Sequence, residues 1–140
     1  MSEESTTPDL AELWRRSVQL ENLRDYDAAM RFWARDGALN LSLTALGTYE
    51  SHAAIRAFLE AWVGAIDDFQ FELEELHDLF NGVAFALVVS TARPAGSTGS
   101  VQGRWGSVSI WGDGFRERVT NYFDIDEVRT AAQQLAEQRG

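Results

Sequence analysis

Two glycine turns constrain this chain more than any other feature. Asn81-Gly82 and Asp113-Gly114 each separate two runs of apolar residues. Such pairs favour tight hairpins, because both central residues accept the positive φ that matches the twist of antiparallel strands. Val83 to Arg93 is the most apolar run and is expected inside the sheet. Val101 to Trp111 and Phe115 to Phe123 flank the second turn. Ahead of the first turn, Phe69, Phe71 and Leu73 alternate with Gln70, Glu72 and Glu74. The phase slips at Glu74-Glu75, since Leu76 is again apolar, and a one-residue slip predicts a bulge. The Gly/Ser-rich stretch Pro94 to Ser100 reads as a hairpin connection. The second half is therefore four consecutive antiparallel strands.

The first half is mostly helical. Leu10, Leu13, Trp14, Val18 and Leu20 recur at helical spacing, with Thr7-Pro8 as cap and first-turn proline. A short helix restarts at Asp25-Tyr26-Asp27, takes Ala28, Ala29, Phe32 and Trp33 as its apolar content, and stops at Asp36-Gly37. Leu39, Leu41 and Leu43 alternate with Asn40 and Ser42, which predicts a strand over 38–43. Ser51 caps a third helix striped by Ala54, Ile55, Phe58, Leu59, Trp62 and Ile66. Asp124 or Asp126 caps a last one carrying Val128, Ala131, Ala132 and Leu135. Helices set ahead of antiparallel strands give the α+β class. A bent sheet covered on one side by helices encloses a pocket at its open end.

Composition narrows the chemistry. The length of 140 residues suits one domain, read as 10–140 behind a polar tail at 1–9. With 22 acidic against 12 basic residues the net charge is −10, which disfavours nucleic acid and anionic membranes as partners. Every basic residue is arginine, so lysine Schiff bases and Walker-type phosphate loops are excluded. Cysteine is absent, and the two histidines, His52 and His77, stand far apart, so neither a thiol nucleophile nor a metal site is expected. The N-terminal segment lacks the pattern of a signal peptide, and the longest apolar run, Val83 to Val89, is too short to span a membrane. The expectation is a cytoplasmic protein without a cofactor: a carboxylate-based hydrolase, isomerase, dehydratase or cyclase, or a binding module.

The element order, with Asp25-Tyr-Asp-Ala-Ala29, Phe32-Trp-Ala-Arg-Asp36, Ala53-Ala-Ile-Arg-Ala-Phe-Leu59, Trp111-Gly-Asp-Gly114 and Arg118-Val-Thr-Asn-Tyr-Phe-Asp124, resembles the SnoaL-like branch of the nuclear-transport-factor-2-like superfamily. The resemblance runs from about Leu10 to Ala132. It implies a cystatin-like cone, a strongly curved antiparallel sheet packed on N-terminal helices, and a homodimer through the outer sheet face, with Val88, Val108 or Ile110, and Tyr122 as its patch. It does not imply one function, because the scaffold carries many. Where ketosteroid isomerase has its base, its tyrosine and its second acid, this chain has Leu41, Ser17 and, nearby, Gly106. Where limonene epoxide hydrolase has its central arginine and aspartate, this chain has Leu87 and Val89. Its tyrosine and asparagine fall near Leu39 and Leu41, and its second carboxylate on Asn121. Neither engine is present.

The resemblance and the strand alternation together aim Asn121 into the pocket beside Val119 and Phe123. An amide there can hold a carbonyl or hydroxyl but cannot act as a general base; a structural amide is the plainer alternative. Of the neighbours Arg104 and Trp105, one faces inward. A plain two-residue turn at Asp113-Gly114 selects Arg104, and a bulge or longer turn selects Trp105. Glu117 shares parity with Asn121, whereas Glu72, Glu74, Glu75 and Asp78 read as a solvated strand face. Asp36 and Asp124 read as helix ends, His52 as a surface residue, and His77 as exposed or structural. The predicted lining is Ser17, Trp14, Leu41, Leu87, Val89, Val119, Phe123, Trp62 and Asn121, with Arg104 or Trp105. The expected ligand is a small apolar organic molecule bearing one or two oxygens. The alternative is a non-catalytic interaction module whose own side chains fill the cavity.

Overall fold

The computed structural model describes residues 10–41, 46–62, 69–79, 81–93, 99 and 101–139, with Trp62 and Val101 described in their backbone only. The elements run α1 (Leu10–Asn22), α2 (Tyr26–Met30), β1 (Trp33–Leu41), β2 (Gly47–Glu50), α3 (His52–Trp62), β3 (Gln70–Asp78), β4 (Val83–Ala92), β5 (Val101–Gly112), β6 (Phe115–Tyr122) and α4 (Ile125–Arg139). The tail 1–9 with its Thr7-Pro8 cap, Ser42, Leu43, Ile66 and the Pro94–Ser100 connection apart from Gly99 lie outside the described residues.

The six strands form one curved sheet in the order β2-β1-β6-β5-β4-β3. The second half is the antiparallel meander that its turns predict. Asn81 and Gly82 have φ of 56° and 78°, and Asp113 and Gly114 have 54° and 84°. Both turns therefore carry the double positive φ of a tight hairpin. The slip in β3 is also present, as a register shift between Leu73 and Glu75.

Four features depart from the sequence reading, the first being that helices cover both faces of the sheet and not one. Trp33 opens β1 rather than ending a helix, and Asp36 lies exposed within that strand. β1 pairs with β6 in parallel, so the sheet is not wholly antiparallel. The short β2, not anticipated, pairs antiparallel with β1 and forms the sheet edge. Four residues give too little alternation to stand out in sequence.

Helices cover both faces. On the inner face α1 packs over β4 through Leu13, Trp14, Ala84, Ala86 and Val88. α3 is capped by Ser51, whose Oγ accepts from the Ala54 N–H at 3.1 Å, and it sets Ile55 and Leu59 against Leu39, Leu41, Phe69 and Val119. On the outer face α4, capped by Asp124 through the N–H groups of Asp126 and Glu127, packs Val128, Ala132 and Ala136 on Val83, Phe85 and Val108. Gly106 permits this approach, because a Cβ there would stand 2.5 Å from Val128 Cγ1. Residues 83–86 are buried on both faces for this reason. Two residues of the expected dimer patch, Val88 and Val108, are therefore not on an open outer face. Val88 points into the inner core, and Val108 lies buried in the α4 cluster.

Candidate functional site

Between α1, α3 and the inner sheet face lies a cavity of about 280 Å³. Its walls are aromatic and aliphatic. Trp14 and Val18 come from α1, Trp33, Leu39 and Leu41 from β1, and Phe71 and Leu73 from β3. Val88 and Trp105 close the sheet side. Phe71 meets Trp105 edge to face at 5.8 Å between centroids, an arrangement that holds both rings in place. Leu46 and Phe123, 38% and 69% exposed, mark the open side.

Against these apolar walls stand two charged side chains that sequence reasoning missed, Glu21 and Arg116. Their side chains are 10% and 5% exposed, and Arg116 Nη1 lies 3.9 Å from Glu21 Oε2. That is an ion pair longer than a hydrogen bond. Arg116 also donates to Ser17 Oγ, and Ser17 Oγ donates to the Trp14 carbonyl at 2.9 Å. The guanidinium is held among three indoles, 5.0 Å from the ring centroids of Trp33 and Trp111 and 5.9 Å from that of Trp14. Such contacts stabilise a cation most where water is excluded. Arg116 Nε and Trp33 Nε1 are buried without a hydrogen-bond partner among the described residues, and so is Asn121 Oδ1.

Burial acts on both charges. It pushes the Glu21 carboxyl above its ordinary range, against the opposing pull of Arg116. It lowers Arg116 to about 10, with Glu21 acting in the opposite sense. A carboxyl that burial makes easier to protonate, bordering a cavity and a fixed cation, is a candidate functional group.

A bulge explains why Arg116 escaped notice. In the β5–β6 ladder Ile110 pairs with Arg118 and Trp111 with Arg116, which leaves Glu117 as an extra residue. Strict alternation back from Asn121 and Val119 would turn Glu117 inward and Arg116 out. The extra residue reverses both, so Arg116 is buried and Glu117 exposed. Glu21 had a fainter signal. It lies seven residues beyond Trp14, on the same face of α1, with Ser17 between them.

The predicted lining divides in two. Asn121, Trp105, Trp14, Leu41, Val119 and Phe123 all border the cavity. Trp105 rather than Arg104 faces inward, while Arg104 is exposed and paired with Glu74. Leu87 and Val89 are not among the lining residues. The β4 positions that line the cavity are Val88 and Ser90, and Leu87 packs with the outer cluster under α4. Ser17 is fully buried and touches the site through Arg116 instead of lining the cavity. The Trp62 side chain lies outside the described residues. His77 is half-exposed beside Glu75, and His52 is not a free surface residue, since its Nε2 meets the Trp33 carbonyl at 2.9 Å. Glu72, Glu74 and Glu75 are exposed, as the solvated-face reading expects, whereas Asp78 is half-buried. Among the described residues no group of acidic or histidine side chains could hold a metal, and no helix is long and apolar enough to cross a membrane.

The sequence model of the SnoaL-like domain matches residues 14–131, which span every element that builds the cavity. The chain belongs to the SnoaL-like domain family. Curated proteins offer no match to it. Solved structures with the SnoaL-like fold do. A Xanthomonas campestris protein, provisionally described as a polyketide cyclase, is 21% identical, with a TM-score of 0.65 over 88% of this chain and 95% of its own. TerC, co-crystallised with polyporic acid, is 17% identical, with a TM-score of 0.69 over 91% of this chain and 97% of its own. A Mycobacterium tuberculosis protein in complex with estradiol-17beta-hemisuccinate is 14% identical, with a TM-score of 0.69 over 83% and 94%. These likenesses extend to the fold.

Proposed function

We propose that this SnoaL-like protein binds a small, flat organic molecule and catalyses a cyclase- or isomerase-type rearrangement through proton transfer next to a carbonyl. One observation carries the reading: a buried carboxylate and a buried guanidinium, 3.9 Å apart, border a mostly apolar cavity. Glu21 is the group that takes and returns the proton. Arg116 faces the oxygen on which enolate charge develops, and a fixed cation in a water-poor site stabilises that charge without reorganising. Trp14, Trp33 and Trp105 supply the flat walls, and Asn121 Oδ1 is free to accept from a ligand hydroxyl. The occupants of two fold neighbours, polyporic acid and an estradiol hemisuccinate, support an organic ligand of this kind. The same reading includes a homodimer through the outer sheet face.

The test uses 2-tetralone, a flat ketone with exchangeable protons beside its carbonyl, in deuterated buffer followed by proton NMR. The wild type is expected to exchange those protons faster than buffer alone, and Glu21→Gln to lose the acceleration. Equal rates for wild type, Glu21→Gln and buffer would favour the non-catalytic binding module.

A further inference from the structure

The unmet hydrogen-bond capacity of the cavity is unequal in kind. Among the described residues, Arg116 Nε and Trp33 Nε1 are buried donors without an acceptor and Asn121 Oδ1 is a buried acceptor without a donor, so on these three cavity-lining residues open donors outnumber open acceptors two to one. The Arg116–Glu21 separation of 3.9 Å leaves the guanidinium without a close carboxylate hydrogen bond. A buried cation with open donors is a site for an anionic oxygen, and the apolar walls select what carries that oxygen.

We propose that the cavity takes an organic anion, a carboxylate or enolate on a flat apolar body, with its charged oxygen at Arg116, and that Glu21 accepts a proton as the anion arrives. The inference rests on the reading of the cavity as an organic-ligand site, not on the reaction assigned to it. Two negative charges cannot share one buried cation cheaply, so the weaker acid is neutralised. No other described lining residue competes for that proton. Among the described lining residues Glu21 and Arg116 are the titratable side chains. α3, β1, β3, β4 and β5 contribute aromatic or aliphatic side chains and the hydroxyls of Ser90 and Ser107. Arg24, just past the end of α1, donates instead to the carbonyls of Asn22 and Phe69. The proton comes from the buffer acid: its bond to hydrogen breaks and leaves the conjugate base in solution as one O–H bond forms on Glu21, and no bond of the ligand changes. Burial already biases Glu21 toward this form.

The experiment is calorimetric titration of the intact protein with 2-naphthoate and with the uncharged 2-naphthamide. It is run at pH 8.5 in two buffers that differ in ionisation enthalpy. The expected result is that 2-naphthoate binds at least tenfold tighter than the amide, with close to one proton taken up per ligand. Glu21→Gln is expected to bind 2-naphthoate with no proton uptake. Amide binding equal to or tighter than naphthoate would overturn the proposal and leave the organic-ligand cavity standing. So would naphthoate binding to wild type without proton uptake. Binding of neither probe would overturn both.

Discussion

Arg116 Nη1 lies 3.9 Å from Glu21 Oε2, and three indole rings surround the same guanidinium. The pair joins the last turns of α1 to the start of β6. It puts two charges in a place that hydrophobic packing alone would have filled. Replacing such pairs with apolar residues is often neutral or stabilising, so stability alone is a weak reason for the pair.

The first prediction concerns that cost. Glu21 has a folded pKa above its unfolded value, so between the two the native state binds more protons than the unfolded one. Its contribution to stability is full below the unfolded value of 4.5 and is lost as pH rises through the folded value. Glu21→Gln, a neutral isostere, is therefore expected to be more stable than wild type at pH 7. The advantage should shrink as pH falls toward 4. Urea melts of both proteins from pH 4 to pH 8 measure it. A wild-type advantage that grows with pH would contradict the account.

Asn121 leads to a second prediction. Its Oδ1 has no partner among the described residues, so the fold gains little from it. Asn121→Leu should change stability by less than about 1 kcal/mol, because no buried partner is left unpaired. It should still weaken binding of ligands that bear a hydroxyl. Thermal unfolding and calorimetry, read together, separate the two effects. A loss of several kcal/mol would show that the amide is structural.

Much of the fold was legible because it rests on local chemistry. The Asn81-Gly82 and Asp113-Gly114 turns, the slip at Glu74-Glu75, and the Ser51 and Asp124 caps each follow from one or two residues. The site was half legible. Asn121 and Val119 follow from alternation within one strand, but the charged pair does not. The extra residue Glu117 inverts the parity on its N-terminal side, and nothing in the Arg116-Glu-Arg118 text says which residue is extra. The same bulge brings Trp105 inward in place of Arg104. Leu87 and Val89 failed for a related reason, since an alignment shifted by one residue turns a strand over. Glu21 was masked by its charge, which reads as solvent-exposed until its partner is known.

Gly106 supplies a third prediction. A Cβ at this position would meet Val128 at 2.5 to 3.0 Å, and Val128 is the 1% exposed anchor of α4. Gly106→Ala should force α4 outward and cost about 1–3 kcal/mol. Val128→Ala in the same chain should restore part of that loss. Chemical denaturation of the single and double variants checks this. An unchanged midpoint for Gly106→Ala would show that α4 is not fixed here.

The most direct test of the central claim is the ionisation of Glu21 itself. Carboxyl-labelled glutamate, followed by carbon NMR across pH 3 to 9, reports each side chain. The account predicts one resonance that titrates well above 4.5, is absent in Glu21→Gln, and moves higher still in Arg116→Met. If every glutamate titrates in the ordinary range, with no resonance lost from an elevated position in Glu21→Gln, Glu21 is not a buried proton carrier and the proposed site fails.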